Sequence, residues 1–284
     1  MKVIFVVPKQ NHQLDTAKAL SAGFKRHGIT DIKLVKVYDP RVMGADLVAI
    51  WAWRPKRKGS QWWLVDESQK YRGGHSLVME RAYVGERHTW TSLGYDGLNG
   101  RADFCNAHIT HTTRFNKNFS HLLQPWQDTD KRQKVVIAGQ CRMDAAVSHI
   151  NIDEWYRSVA MELNLRGFEV VFRPHPLNTH PWEIEPGLKV TVDTSSSFEE
   201  CIKDAKCVVT YNSNAGVLST LAGIPTISYD KGSMVHHITT HNLTNLSHKP
   251  DRREWSAKIA YSQWLPHEMS SGETWEHLKQ KYQK

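Results

Sequence analysis

The 284-residue sequence predicts an α/β protein built from two Rossmann-like domains. Three observations predict it. Short apolar runs alternate with amphipathic stretches, the alternation breaks off near Leu123–Gln133 and then resumes, and polar or glycine-bearing segments follow directly after the apolar runs. Residues 1–130 are expected to form the first domain and 131–250 the second, the two facing a cleft. Residues 251–284 are expected to form helices that cross back to the N-terminal lobe.

Each element follows from its local pattern. Lys2–Val7 is an apolar run stopped by Pro8, hence a strand. Leu14, Ala17, Leu20 and Phe24 recur at helical spacing before Gly28, and Ile32–Val37, Asp46–Trp51 and Ser76–Tyr83 read as further strands. Residues 85–100 carry Gly85, Gly94, Gly97 and Gly100 among polar residues and read as one irregular loop that approaches a ligand. Pro125, Asp128, Asp130, Lys131 and Arg132 interrupt the hydrophobic pattern as a linker does. Beyond them come a strand (Lys134–Ala138), a helix (Asp153–Leu165), a strand (Phe168–Phe172), a helix (Phe198–Ala205) and a strand (Cys207–Tyr211). A helix through Leu221 and a strand (Ile224–Tyr229) complete the second block. Trp255, Ile259, Ala260 and Gln263 then fall at helical spacing.

Composition narrows the class. With 40% hydrophobic and 23% charged residues the chain has enough apolar material for a core, which argues against disorder. The formal net charge of +8 suits a polyanionic partner such as DNA, an anionic lipid or an acidic glycan. Arg54, Lys56, Arg57 and Lys58 form the densest basic run and are candidate nucleic-acid contacts, next to Trp51, Trp53, Trp62 and Trp63. Four Cys without close pairing fit neither a zinc site nor a disulfide framework, and fit a reducing cytoplasm. His236-His237 lacks paired carboxylates at ligand spacing, so no metal site is expected. The N-terminal apolar run is too short for a signal segment or a membrane span.

Open parallel sheets bind ligands beyond the carboxyl ends of their strands. Four segments lie there: residues 139–144, beginning Gly139-Gln140; Arg173-Pro174-His175-Pro176; Asn212-Ser213-Asn214-Ala215-Gly216; and Glu80 with residues 85–100. Asn212 to Gly216 stand between a strand and a helix, where free backbone N–H groups and the helix dipole favour a phosphate. Ser213 or Asn214 as a plain helix cap is the competing explanation. Arg173 and His175, in a loop stiffened by two prolines, could add a cation and a donor.

The order Gly-Gln-x-x-x-Asp (139–144), Arg-Pro-His-Pro (173–176), Asn-Ser-Asn-x-Gly (212–216) and Ala-Gly-Ile-Pro-Thr-Ile (222–227) resembles the C-terminal lobe of GT-B glycosyltransferases of the capsule Kdo-transferase type. Glu80-Arg81-Ala82-Tyr83-Val84 is similar to that family's Glu-Asp-Gly-Phe segment. The layout also resembles short phage-encoded relatives. The resemblance implies that Gln140, Arg173, His175, Ser213 and Asn214 surround the donor phosphates and that Glu80 lies near the acceptor. Arg81-Ala82 replaces the family's Asp-Gly, and Leu218 stands where an acidic residue often binds a ribose, so the expected donor shifts from a CMP-sugar towards a UDP-sugar.

The expected activity is therefore sugar transfer from a nucleotide-sugar co-substrate, inverting and without a metal or other cofactor. Glu80 is the first choice of general base, with Asp96 and Glu86 in reserve. Charge, aromatics and phage-like motifs together suggest a hydroxymethylated pyrimidine of duplex DNA, such as 5-hydroxymethylcytosine, as acceptor, in a phage-infected bacterial cytoplasm. A surface or capsular glycan is the alternative acceptor. A nucleotide- or nucleic-acid-binding module without transferase activity is the alternative of another class.

Overall fold

The computed structural model describes residues 1–6, 10–35, 40–52, 61–142, 144–178 and 182–282. Its strands and α-helices run in chain order as β1 (Lys2–Val6), α1 (Asn11–Arg26), β2 (Asp31–Val35), β3 (Leu47–Trp51), α2 (Gln61–Arg72), β4 (His75–Arg81), β5 (Thr91–Tyr95), α3 (Thr113–Phe119), β6 (Lys134–Ala138), α4 (Ile152–Leu165), β7 (Glu169–Arg173), β8 (Val190–Val192), α5 (Phe198–Ile202), β9 (Cys207–Thr210), α6 (Ala215–Leu221), β10 (Thr226–Ser228), α7 (Arg253–Ile259), β11 (Gln263–Trp264), α8 (Pro266–Ser271) and α9 (Glu273–Leu278). Two compact units result, one of residues 1–115 with 256–284 and one of residues 116–255.

The first unit holds a sheet in the order β11-β5-β4-β3-β1-β2. β2, β1, β3 and β4 are parallel, while β5 and β11 run antiparallel to their neighbours. Successive side chains of a strand face opposite sides, and the sequence supplies apolar groups for both. Val3 and Phe5 pack with Leu20, Phe24, Met79 and Trp264, whereas Ile4 and Val6 pack with Val42, Ile50, Val65 and Val78. The C-terminal segment closes the first of these faces. Gly23 of α1 lies against the carbonyl of Met269 in α8 so tightly that a Cβ would sit 2.0 Å from its oxygen, so only glycine permits this helix crossing.

The second unit is a parallel sheet in the order β10-β9-β6-β7-β8. Val135, Ile137, Val170, Phe172 and Val209 face Tyr156, Val159 and Leu163 of α4. Val136, Ala138, Val171 and Val208 face Ile202 of α5 and Ile224 on the other side. Asn151 caps α4 by accepting from the N–H groups of Asp153 and Glu154.

Two expectations are corrected. The stretch 85–100 is not one loop, because β5 occupies its centre. Thr91 to Tyr95 are all buried, although their sequence carries two polar residues and a glycine. Gly94 is small because a Cβ would lie 2.7 Å from Ala102 Cβ and from the Phe104 ring. Gln263 does not prolong a helix. The chain leaves α7 at Ile259, and Gln263-Trp264 pairs as β11 with Ser92-Thr91. Residues 256–284 belong to the first unit and join it through a strand and helices together.

Candidate functional site

In the second unit β6 is flanked by β7 on one side and β9 on the other. The chain leaves β6 towards β7 and leaves β9 towards β10, so the connections after β6 and β9 diverge. A crevice at such a switch point is where open α/β sheets take ligands. Gly139-Gln140 follows β6 and Tyr211-Asn212-Ser213 follows β9, which places both predicted segments at that point.

A buried hydrogen-bond network fixes them. Gln140 Nε2 donates to Asn212 Oδ1 at 2.6 Å, and the Asn212 N–H donates to Gln140 Oε1 at 3.0 Å. Asn212 Nδ2 donates to Asp230 Oδ2 at 2.6 Å and to the Ala146 carbonyl at 2.9 Å, while the Gln140 N–H donates to the Tyr156 hydroxyl at 2.7 Å. Asp230 also accepts from the Gly232 N–H, and its other oxygen lies 3.8 Å from His149 Nε2. Asp230 is a site residue that sequence reasoning missed. Its signal is Asp-Lys-Gly directly after β10, a strand-end turn like the others.

The other residues expected to bind the donor differ from the expectation of free N–H groups. The Ser213 N–H donates to Thr210 Oγ1, the Ala215 N–H to Ser213 Oγ and the Gly216 N–H to the Ser213 carbonyl. Ser213 thus caps the loop locally, and Asn214 sits in helical geometry ahead of α6 without a side-chain cap bond. Gly139 and Gly216 are small for packing reasons. A Cβ on Gly139 would lie 2.8 Å from the Arg173 carbonyl oxygen, and one on Gly216 would lie 3.0 Å from Val235. Arg173 Nη1 pairs with Asp193 Oδ2 at 2.5 Å and donates to the Ser195 carbonyl at 2.6 Å. Burial alone would raise the Asp193 carboxyl, but the Ser195 hydroxyl and Arg173 outweigh it and hold it below the usual carboxylate range. His175 Nδ1 accepts from the Leu177 N–H at 3.2 Å. With Nδ1 an acceptor, the ring's proton lies on Nε2, the tautomer that can donate to a phosphate oxygen.

In the first unit Glu80 ends β4, and its Oε1 accepts from the N–H of Arg81 at 2.8 Å. The following residues are held from far along the chain. Gln263 Oε1 accepts from the N–H groups of Tyr83 and Val84 at 3.0 Å each, and its Nε2 donates to the Val84 carbonyl at 2.6 Å. Gln263 itself lies beside Arg114, whose guanidinium donates to the Gln263 and Ala260 carbonyls, forms a buried bidentate pair with Glu268, and stacks 4.3 Å from the Trp264 ring. Tyr83 donates to Asn99 Oδ1, and burial pushes its phenol well above the ordinary value.

The reserve carboxylates separate. Glu86 stays at the Glu80 end, in the β4–β5 turn, accepting from the N–H of His88 at 3.0 Å. Asp96 does not. β5 runs antiparallel to β4, which carries Asp96 to the opposite edge of the sheet, where it accepts from the Ser76 N–H and pairs with His75 at 2.8 Å. The strand inside the expected loop is the physical reason. Arg54, Lys56, Arg57 and Lys58 lie outside the described residues. Arg81, which follows Glu80, donates to His88, and the fields of both reach His12; none of the three was predicted. Among the cysteines, burial pushes the Cys201 and Cys207 thiols up to about 12, which leaves them unreactive.

No protein-family model and no curated protein matches the chain. Solved structures do resemble it, two of which superpose over most of its length. Thermosulfurimonas dismutans KpsC, described as a beta Kdo 2,4 transferase, superposes with a TM-score of 0.59 at 14% identity over 91% of this chain and 89% of that one. The same organism's KpsC beta Kdo 2,7 transferase gives 0.57 at 13% identity over 98% and 99%. The fold is that of the GT-B glycosyltransferases. In this GT-B chain each Rossmann-like unit carries its candidate residues at the C-terminal edge of its parallel strands, Glu80 on one sheet and Gln140, His175, Asn212 and Ser213 on the other. Among the described residues no helix is long and apolar enough to cross a membrane.

Proposed function

We propose that the chain transfers a sugar from a nucleotide-sugar, a UDP-sugar in preference to others, to the hydroxymethyl group of a modified pyrimidine in duplex DNA. The observation that carries sugar transfer is the locked switch-point crevice of the second sheet, in a chain that shares the GT-B fold over nearly its whole length. On this reading the donor phosphates meet the His175 ring and the Ser213 loop, which take up negative charge as the anomeric C–O bond to phosphate breaks. The acceptor hydroxyl oxygen bonds the anomeric carbon from the opposite face, giving inversion, and its proton passes to the Glu80 carboxylate. No step requires a metal ion.

DNA as acceptor is supported by the net charge of +8 and by the cationic groups beside Glu80. A saccharide acceptor is favoured by one specific observation, that two structures it resembles are described as Kdo transferases. The test is mass spectrometry of a duplex containing 5-hydroxymethylcytosine and of an acidic oligosaccharide, each incubated with UDP-, GDP- and CMP-sugars. A sugar adduct on the duplex is expected, and Glu80→Gln should lower turnover by about 10²–10⁴-fold. Adducts on the oligosaccharide alone would replace DNA by a glycan. Nucleotide binding without release from any donor would leave only a binding module.

A further inference from the structure

We propose that His12, Arg81 and His88 form a phosphate site in the first unit that grips a backbone phosphodiester of the DNA acceptor. The inference deepens the function proposed above and rests on it. β1, β3 and β4 are parallel, so the first turn of α1, which follows β1, lies at the same sheet edge as Trp51 and Arg81. Four features there point to an anion. Arg81 Nη1 donates to His88 Nδ1 at 2.8 Å, a neutral partner that leaves the guanidinium charge uncompensated among the described residues. With its Nδ1 occupied as an acceptor, His88 presents an Nε2–H donor outward. His12, edge-on to Trp51 with ring centroids 5.0 Å apart, is held below its ordinary pKa by burial and then by the positive fields of Arg81 and His88, against the pull of Asp15. The start of α1 has no acidic residue and no side-chain cap, and among the described residues the N–H groups of Asn11 and His12 have no acceptor.

The Arg81 charge, the ring donors and the open start of α1 converge on one place, and a bound anion would accept from them together. The chemistry suits a phosphodiester, because forked guanidinium donors, ring N–H groups and a helix start all address a tetrahedral oxyanion. A phosphate held there, next to Glu80 in sequence and along the same edge, would bring the neighbouring nucleotide's hydroxyl to the carboxylate. Arg81 thereby acquires a role as a positioning residue.

The test is the salt dependence of binding to a hydroxymethylcytosine duplex, followed by fluorescence anisotropy, with sugar transfer measured in parallel. The slope of log K against log salt counts neutralised phosphates, and Arg81→Gln should reduce its magnitude by about one. Lys33→Gln, an exposed change on β2 with the same loss of charge, should leave it unaltered. His88 is faced by Arg81, His12 and Glu86. His88→Gln, which displaces the ring's Nε2–H donor, should weaken duplex binding at a fixed salt concentration. Should Arg81→Gln fail to fold, the exposed His88→Gln carries the test alone. Equal slopes and equal affinities in wild type and variants, with transfer to DNA intact, would overturn the phosphate site and spare the function. A reduced slope without transfer would keep the site and overturn the function. Absence of duplex binding at low salt would overturn both.

Discussion

The two candidate edges are held in place by different means. In the second unit Gln140, Asn212 and Asp230 hold one another through side-chain amides and one carboxylate, and their further partners, Tyr156 of α4 and the Ala146 carbonyl, belong to the same unit. In the first unit the residues after Glu80 are positioned by Gln263, about 180 residues away, which is itself seated by the Arg114–Glu268 ion pair. The second unit's edge is therefore complete once its own sheet and α4 have formed. The Glu80 edge is not, because it also needs the C-terminal segment. The second edge compensates its charges internally, Arg173 against Asp193, while the first leaves Arg81 against a neutral ring.

The sharpest way to break this comparison is at Arg114. Its guanidinium and the Glu268 carboxylate are each about 8% exposed, and Glu268 also accepts from the Leu265 N–H. Arg114→Met should cost roughly 3–5 kcal/mol, because it strands a buried carboxylate and two carbonyls. Denaturant titration would measure that, and hydrogen exchange should show the protection of Tyr83 and Val84 falling with it. Preserved exchange there would mean that Gln263 is seated independently of the ion pair.

A smaller effect is expected in the second unit. Asn212→Ala removes three side-chain hydrogen bonds but leaves Gln140 and Asp230 able to recruit water at a sheet edge, so roughly 1–3 kcal/mol is expected. The loss should fall on nucleotide affinity more than on turnover, with calorimetry of UDP binding as the readout. An unchanged affinity would reduce the network to a structural tie.

The same contrast explains what the sequence could show. Lys134–Ala138 and Cys207–Thr210 are apolar runs with polar segments behind them, so the second sheet and its site segments are legible from pattern alone. β5 is not, because Thr91, Ser92 and Gly94 lack an apolar run and become buried only when β11 covers them. That cover comes from residues about 170 positions later, and a tertiary contact of that span leaves no local period. Asp96 was misplaced for this reason alone. Gln263 and Arg114 read locally as ordinary helix-surface residues, and their burial is a product of the same long return. Arg173 was legible as a strand-end cation, but its neutralisation by Asp193 depended on β8, three residues too short to announce itself.

The smallest effect tests whether the C-terminal return is sensitive to acid. His277 of α9 is about 8% exposed, stacks on Tyr261 with ring centroids 5.2 Å apart, and donates through Nε2 to the Phe104 carbonyl at 2.8 Å. Burial first, then His108 and Arg114, depress its pKa, and the Phe104 bond only partly offsets them. A His that must stay neutral when folded contributes full stability above its unfolded pKa of about 6.5. As the pH falls below that value the unfolded chain takes up a proton that the native ring resists, so stability drops until the folded pKa is reached. The melting temperature should therefore decline on acidification from about pH 7 to about pH 5.5, and His277→Gln should decline less. His236 in the second unit is depressed too, by burial and by His241, which stacks on it at 3.7 Å, so part of the decline should survive the substitution. Equal declines in wild type and His277→Gln would place the acid sensitivity outside α9 and remove pH as a lever on the Glu80 edge.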